Sequence, residues 1–303
     1  MIGRVANAPL SRVLVGGMAR AGGAMVRLQE QLATGKRAST FADLGPAAVR
    51  TLSARAMLAR EEAQGKVAKA VDTTLALQDA HMNAIAGSVG ALRISILKAV
   101  GTGKSAGLQQ EIDQAFATFR GALNAREGGV ALFGGGQGDA APFAPATLGE
   151  TAGLAADDAF RNDAVRATAR VADGVDMAYG IGADEIGREL FGAFRALAEL
   201  GPVGAELTDA GRAALSAASE LFKGGLAELG AVNADNGRKR AEVEVLAARA
   251  SERANLLTEL VSRHEDADFA QIAVDLASRK TQLEASYSVF TQLSGLSLVR
   301  YLR

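Results

Sequence analysis

The chain contains no cysteine and no tryptophan, and only five prolines in 303 residues. Without thiols it forms no disulfide, no thiolate nucleophile and no cysteine-ligated zinc or iron–sulfur centre. There is no surplus of basic charge: the formal net charge is −1, so the chain as a whole is not built to hold a phosphate backbone. The charge is uneven, however. Residues 1–37 carry Arg4, Arg12, Arg20, Arg27, Lys36 and Arg37 against Glu30 alone, whereas residues 131–206 carry twelve acids and five bases. The basic end has no aromatic side chain on which a base could stack, which argues against nucleic acid as its partner. No uninterrupted apolar run approaches the ~20 residues of a membrane span, so no membrane insertion is expected. The stretch "VLVGGMA" is short, broken by glycine and followed at once by Arg20. It makes a poor secretory signal, and export would need another route.

What is present is helical periodicity. Leu14, Met18, Ala21, Met25, Leu28 and Leu32 step by 4, 3, 4, 3, 4, a heptad seam, and Gly35 is placed to end it. "FADLGPAAVRTL" is expected to open a helix, with Pro46 in the first turn, where its missing N–H costs little. Val71, Leu75, Met82, Ile85, Val89, Leu92 and Ile96 keep the same rhythm, with Gln78 in one polar slot, until "GTGKSAG" ends the run. A third helix places Leu108, Ile112, Ala115, Phe119 and Leu123 on one face. Glycine density then rises, and two of the five prolines fall within "EGGVALFGGGQGDAAPFAPATLG". No helix survives that composition, and a strand-like "VALF", a turn and an exposed loop are expected. "DAVRATARVADGVDMAYGIGAD" predicts one or two strands turning near Gly174, with Val165, Ala167, Ala169 and Val171 on one side. "DEIGRELFGAFRALAEL" is a short amphipathic helix stopped by Gly201-Pro202.

Thr208 is expected to cap a long helical region, with possible breaks at Gly224-Gly225 and Gly237. Val243, Ala247, Ala250, Ala254, Leu257, Val261 and His264 continue the seam. After "HEDAD" a last seam runs through Phe269, Ile272, Leu276, Leu283, Phe290 and Leu293, with Arg279 in one slot. The closing stretch "LEASYSVFTQLSGLSLVRYLR" adds Tyr287, Leu296, Leu298 and Leu302 as an apolar stripe that nothing later in the sequence covers. The expectation is that another chain covers it. Seam burial alone does not offset the entropy of ordering the two terminal segments, so they are expected to be ordered by neighbouring subunits.

Two stretches imitate chemistry. "GTGKS" resembles the end of a phosphate-binding loop, but the glycine that motif requires upstream is Lys98. The stretch also follows a helix, whose C-terminal carbonyls repel phosphate. "HEDAD" offers His264, Glu265, Asp266 and Asp268, yet neighbouring helical positions point in different directions and no second histidine lies nearby. Neither a catalytic residue nor a cofactor nor a metal is expected, and the nucleotide-binding enzyme that "GTGKS" would imply is the weakest alternative.

"SRHEDADFAQIAVDLASRKTQLEASYSVFTQLSGLSLVRYL" resembles the C-terminal segment of bacterial flagellins and of the flagellin-like hook-associated protein at the hook–filament junction. "LQEQLATGKR" is similar to the family's N-terminal segment, where such a turn follows the first helix. The likeness covers about residues 10–75 and 250–303. "GGVALFGGGQGDAAPF" and the "TQLSG" ending look more like the junction protein than a filament flagellin, which is the alternative. The resemblance implies a structural subunit of the flagellum that is exported by the flagellum's own secretion apparatus, without a cleaved signal, to an extracellular site. It implies assembly of copies in a helical ring next to a neighbouring hook-associated protein and flagellin, with an export chaperone beforehand.

The expected fold is mainly α: a long antiparallel heptad-helix rod with paired N- and C-terminal helices and a small β-containing insert. Residues 1–40 with 265–303 would form a terminal helical core domain, 41–130 with 206–264 a long-helix domain, and 131–205 the outer insert. The expected assembly interface is Leu14, Met18, Met25, Leu28, Leu32, Phe269, Ile272, Leu276, Leu283, Tyr287, Phe290, Leu293, Leu296 and Leu298.

Overall fold

A computed structural model describes residues 3–295 of the chain, with side chains described from 12 to 292. Its helices are α1 (Gly3–Thr34), α2 (Ala47–Thr102), α3 (Leu108–Leu123), α4 (Ala156–Ala159), α5 (Ala183–Leu200), α6 (Asp209–Glu265) and α7 (Phe269–Gly295). Four short strands, β1 (Arg126–Glu127), β2 (Val130–Ala131), β3 (Ala167–Ala172) and β4 (Val175–Tyr179), form two antiparallel pairs. The fold is mainly α, as the periodicity predicts. It divides into two compact units, Met1–Arg60 with Arg253–Arg303 (unit 1) and Glu61–Glu252 (unit 2).

In unit 2 the helices form where the seams are, and the seams are buried. Met82, Ile85, Val89, Leu92 and Ile96 of α2 meet Ile112, Phe116 and Phe119 of α3, Leu190, Phe191 and Phe194 of α5, and Leu215 and Phe222 of α6 in one core. Polar links fix α2 against α6 in antiparallel order. Arg240 faces Asp72 at 3.3 Å, Asn236 Nδ2 donates to the Leu75 carbonyl at 2.8 Å, and Arg93 Nε donates to the Ser219 carbonyl at 3.2 Å. Gln78, the polar slot in the seam, is fully buried and donates through Nε2 to the Leu132 carbonyl at 3.0 Å. It thereby ties α2 to the hairpin segment.

The last long helix, α6, is more continuous than the sequence suggests. Gly65 does not divide α2, and Gly224, Gly225 and Gly237 do not divide α6. A glycine inside a helix costs only about 0.5–1 kcal/mol, which side-chain packing on the same helix outweighs. Gly225 has a positive reason to be there. A Cβ at this position would lie 2.6 Å from Leu190 Cδ2 and 2.9 Å from the Leu190 backbone nitrogen, so α5 and α6 meet where no side chain fits.

The β elements are smaller than expected. Of "VALF", only Val130–Ala131 is strand, paired with Arg126–Glu127 across Gly128-Gly129, both at positive φ, as a tight hairpin requires. Phe133 turns into the core. The second hairpin turns at Gly174 as predicted, but Val165 is exposed and only Val171 of its expected face is fully buried. A register irregularity between Arg170 and Ala172 puts two successive side chains inward there. Val171 and Met177 rest on Val71, Leu75 and Val243.

"GTGKS" closes α2. The Gly103 N–H bonds to the Ala99 carbonyl at 2.8 Å, the Lys104 N–H reaches Thr102 Oγ1 at 3.3 Å, and the Ser105 N–H bonds to the Ala205 carbonyl at 2.9 Å. Three successive amides that a phosphate loop would present are therefore spent within the protein. Thr208 caps α6, its Oγ1 accepting the Gly211 N–H at 3.1 Å. Among the described residues α2 is the one helix long and apolar enough to cross a membrane by length and composition, with a mean hydropathy of 1.4 over its most apolar stretch. The absence of an uninterrupted apolar run did not reveal this. Alongside the core side chains of α2, its outward Ala84, Ala91, Ile94 and Leu97 raise the average.

Phe194 touches three other rings, with centroids 5.4 Å (Phe116), 5.2 Å (Phe119) and 5.0 Å (Phe222) away. Phe194→Ala should lower stability by about 3–5 kcal/mol, measured by urea unfolding followed by circular dichroism. A loss under about 1 kcal/mol would show that the ring cluster does not hold unit 2 together.

Candidate assembly site

Unit 1 is built on a different balance. In it α1 and α7 pack along each other, and the end of α1 lies beside the start of α7, so they run antiparallel. Yet its fully buried apolar side chains, among the described residues, are only Ala21, Ala54 and Ile272. Of the expected interface residues, Leu14, Met18, Met25, Leu28, Leu276, Leu283 and Phe290 are half-buried, and Ile272 is buried. Leu32, Phe269 and Tyr287 are 48%, 54% and 58% exposed. Leu296 and Leu298 lie outside the described residues, as does the side chain of Leu293. Val13, Val15 and Val26 of α1 and Val274 and Val289 of α7 are exposed as well. The two helices thus cover their seam only in part and each leaves apolar side chains exposed.

The two sequence motifs meet at the end of this pair. Gly35, at φ +67°, stops α1, a conformation glycine adopts without strain. The chain then pairs in extended form with the connection between α6 and α7. The Arg37 N–H donates to the Glu265 carbonyl at 2.6 Å, and the Ala267 N–H donates to the Gly35 carbonyl at 3.0 Å. Lys36 Nζ donates to Asp266 Oδ1 at 2.6 Å and lies 3.8 Å from Glu265. Arg55, from α2, donates to Glu265 Oε2 and lays its guanidinium 5.2 Å over the Phe41 ring. The Glu265 side chain is 6% exposed, and its other oxygen, Oε1, is buried without a hydrogen-bond partner.

Each acid of "HEDAD" therefore has a structural task. Glu265 and Asp266 anchor the "TGKR" turn. Asp268 caps α7, accepting the N–H groups of Ala270 and Gln271 at 2.9 and 3.1 Å. Asp43 closes the short 3₁₀ turn Phe41–Leu44 by a reciprocal pair with Thr40. Thr40 holds the Asp43 carboxyl below its ordinary value, and the hydrogen bonds from Lys36 and then Ser262 do the same for Asp266. No group of three or more His, Asp or Glu side chains placed to hold a metal occurs among the described residues. The sequence reading missed Lys36, Arg55 and Glu265 as one cluster. The only available signal was a basic turn near one end and an acidic one near the other, which spacing cannot pair across 210 residues or more.

Arg55→Ala leaves a buried carboxylate with one distant cation, and Arg55 is itself half exposed. The expected cost is about 1–3 kcal/mol, measured as faster hydrogen exchange at the Arg37 and Ala267 amides. Unchanged exchange would remove Arg55 from the joint. Asp266 is paired with Lys36 when folded, so its folded pKa lies below the unfolded one. Its contribution is present above the unfolded value near 3.8 and is lost as pH falls through the lowered folded value. Protection of the same two amides should fall on that acid limb, and Asp266→Asn should flatten the fall. An identical acid limb in the variant would assign it to another group.

No family model matches the chain, and no curated protein matches it in sequence. Solved structures do. The fold superimposes on a structure described as a flagellar hook-associated protein from Vibrio parahaemolyticus with TM-score 0.61 and 17% identity, covering 74% of this chain and 100% of the other. It superimposes on FlgL of Bacillus cereus with TM-score 0.58 and 16% identity, covering 69% and 99%. The chain has the fold of these flagellar proteins over nearly their whole length.

Proposed function

We propose that this chain is a structural subunit of the bacterial flagellum, an adaptor at the hook–filament junction that assembles through its terminal helices. One observation carries the reading. Unit 1 pairs α1 with α7 but leaves most of the described seam only half-buried and further apolar side chains of both helices exposed, while unit 2 buries its own seams. A fold shared with a flagellar hook-associated protein supports the same reading, as do the two terminal motifs meeting at the "TGKR"–"HEDAD" joint. In this reading residues 1–40 with 265–303 form the assembling core domain. Residues 41–130 with 206–264 form the supporting long helices, and 131–205 the outward insert. The interface is the seam of Leu14, Met18, Met25, Leu28 and Leu32 on α1 and Phe269, Ile272, Leu276, Leu283, Tyr287 and Phe290 on α7, continued by Leu293, Leu296 and Leu298.

The partners are then further copies in a helical ring, a neighbouring hook-associated protein, flagellin, and a chaperone before export. Export uses the flagellar secretion apparatus and no cleaved signal, and the protein ends outside the cell. The role is structural rather than catalytic. The alternative of a filament flagellin predicts long filaments from purified, seeded protein alone, whereas a junction subunit forms only short assemblies that need hook components.

Deleting residues 290–303 should leave a protein that is exported but missing from purified hook–filament preparations, in cells that shed or lack filaments. Normal filaments in such cells would overturn the adaptor reading.

A further inference from the structure

The net charge of −1 conceals a separation. Unit 1 holds fifteen Lys and Arg against eight Asp and Glu, a surplus of seven positive charges. Unit 2 holds eighteen against twenty-six, a surplus of eight negative charges. Within unit 1 the basic groups are not all used. Lys36 and Arg55 serve the joint with Glu265 and Asp266. Beside it opens a cavity of about 520 Å³ whose lining includes Gln31, Arg37, Asp43, Pro46, Arg50 and His264. Asp43, the one acid in that lining, is engaged by Thr40 through N–H and hydroxyl at 3.2 and 2.6 Å. Among the described residues, neither the Arg37 nor the Arg50 guanidinium has an acidic partner.

We propose that Arg37 and Arg50 form a socket for a carboxylate side chain carried by unit 2 of a neighbouring copy of this chain. The inference rests on the reading of the protein as a subunit that packs against its own copies, and it names the contact. Arg37 and Arg50 line one cavity, and the planar guanidinium fork of each matches a carboxylate. The occupant is assigned to a second copy because the complementarity extends over whole units and not over one residue. A head-to-tail contact joins different surfaces of identical chains. A unit with seven excess positive charges meeting one with eight excess negative charges favours that register over unit 1 against unit 1 or unit 2 against unit 2. The same charges speed the encounter.

Cross-linking tests the contact directly. Arg50→Lys places an amine in the socket. Hook–filament preparations assembled from isotopically heavy and light copies of this variant would be treated with a zero-length carbodiimide and mapped by mass spectrometry. The expected product joins the peptide bearing position 50 of one copy to an Asp or Glu between 61 and 252 of another. Links only within one chain, or only to a different protein, overturn the proposal. In a second measurement, Arg37→Glu with Arg50→Glu should keep the helicity of the isolated protein and reduce its incorporation about tenfold or more. Arg253→Glu with Arg263→Glu, the same charge change in unit 1 but on α6 and outside the α1–α7 seam, should reduce it far less. Wild-type incorporation of the first variant, or equal loss in both, overturns the socket. Absence of the unaltered protein from these preparations would instead sink the subunit reading, and the socket with it.

Discussion

Stability in this chain is concentrated where phenylalanine is. The sequence has eleven, and eight of them, Phe116, Phe119, Phe133, Phe143, Phe160, Phe191, Phe194 and Phe222, are buried in unit 2. Long heptad helices present narrow apolar stripes, and two such stripes cover only each other. The rings widen the contact. Phe143 reaches Phe119 and Phe160 at 5.3 Å each, so the irregular segment after α3 is held by the same cluster that joins α3, α5 and α6. The close approach of α5 at Gly225 completes the arrangement, because any side chain there would push α5 off the cluster.

The remaining three phenylalanines, Phe41, Phe269 and Phe290, belong to unit 1, and none is fully buried. There the decisive contacts are polar: a short extended pairing, Lys36 and Arg55 on Glu265 and Asp266, and two side-chain caps. Such a joint fixes how two helices meet without supplying an apolar interior. The helices beyond it keep exposed apolar side chains, and beside the joint Arg37 and Arg50 line a cavity without an acidic partner among the described residues.

Much of this was legible in the residues. The 4, 3 stepping of Leu14 to Leu32 and of Val71 to Ile96 located α1 and α2, because burial on one face of a helix imposes that period. Gly35, Gly174, Thr208 and Gly201-Pro202 marked ends and turns, since each answers a local backbone demand. Where the sequence misled, tertiary packing was the reason. Gly224 and Gly225 read as breaks and are helix interior, and at Gly225 the reason for glycine is that Leu190 occupies the space a side chain would need. "VALF" read as a strand and supplies two strand residues, since Phe133 is drawn into the core, where its ring meets His81 edge-on. At the site, the seams were visible, but the pairing of Arg55 with Glu265 was not. Periodicity reports what lies within one helix and says nothing of which distant charges converge.

The joint has a consequence for the order of folding. Lys36 and Asp266 lie 230 positions apart, and bringing two such points together in a disordered chain costs closure entropy that few contacts there repay. Once α2 and α6 are paired, that distance collapses. Gly65 already faces Ala250 at 3.8 Å, and only the short stretches from Gly65 back to Lys36 and from Ala250 on to Asp266 remain to be closed. Pairing of α2 with α6 therefore lowers the closure entropy of the Lys36–Asp266 joint, which favours forming the joint after that pairing.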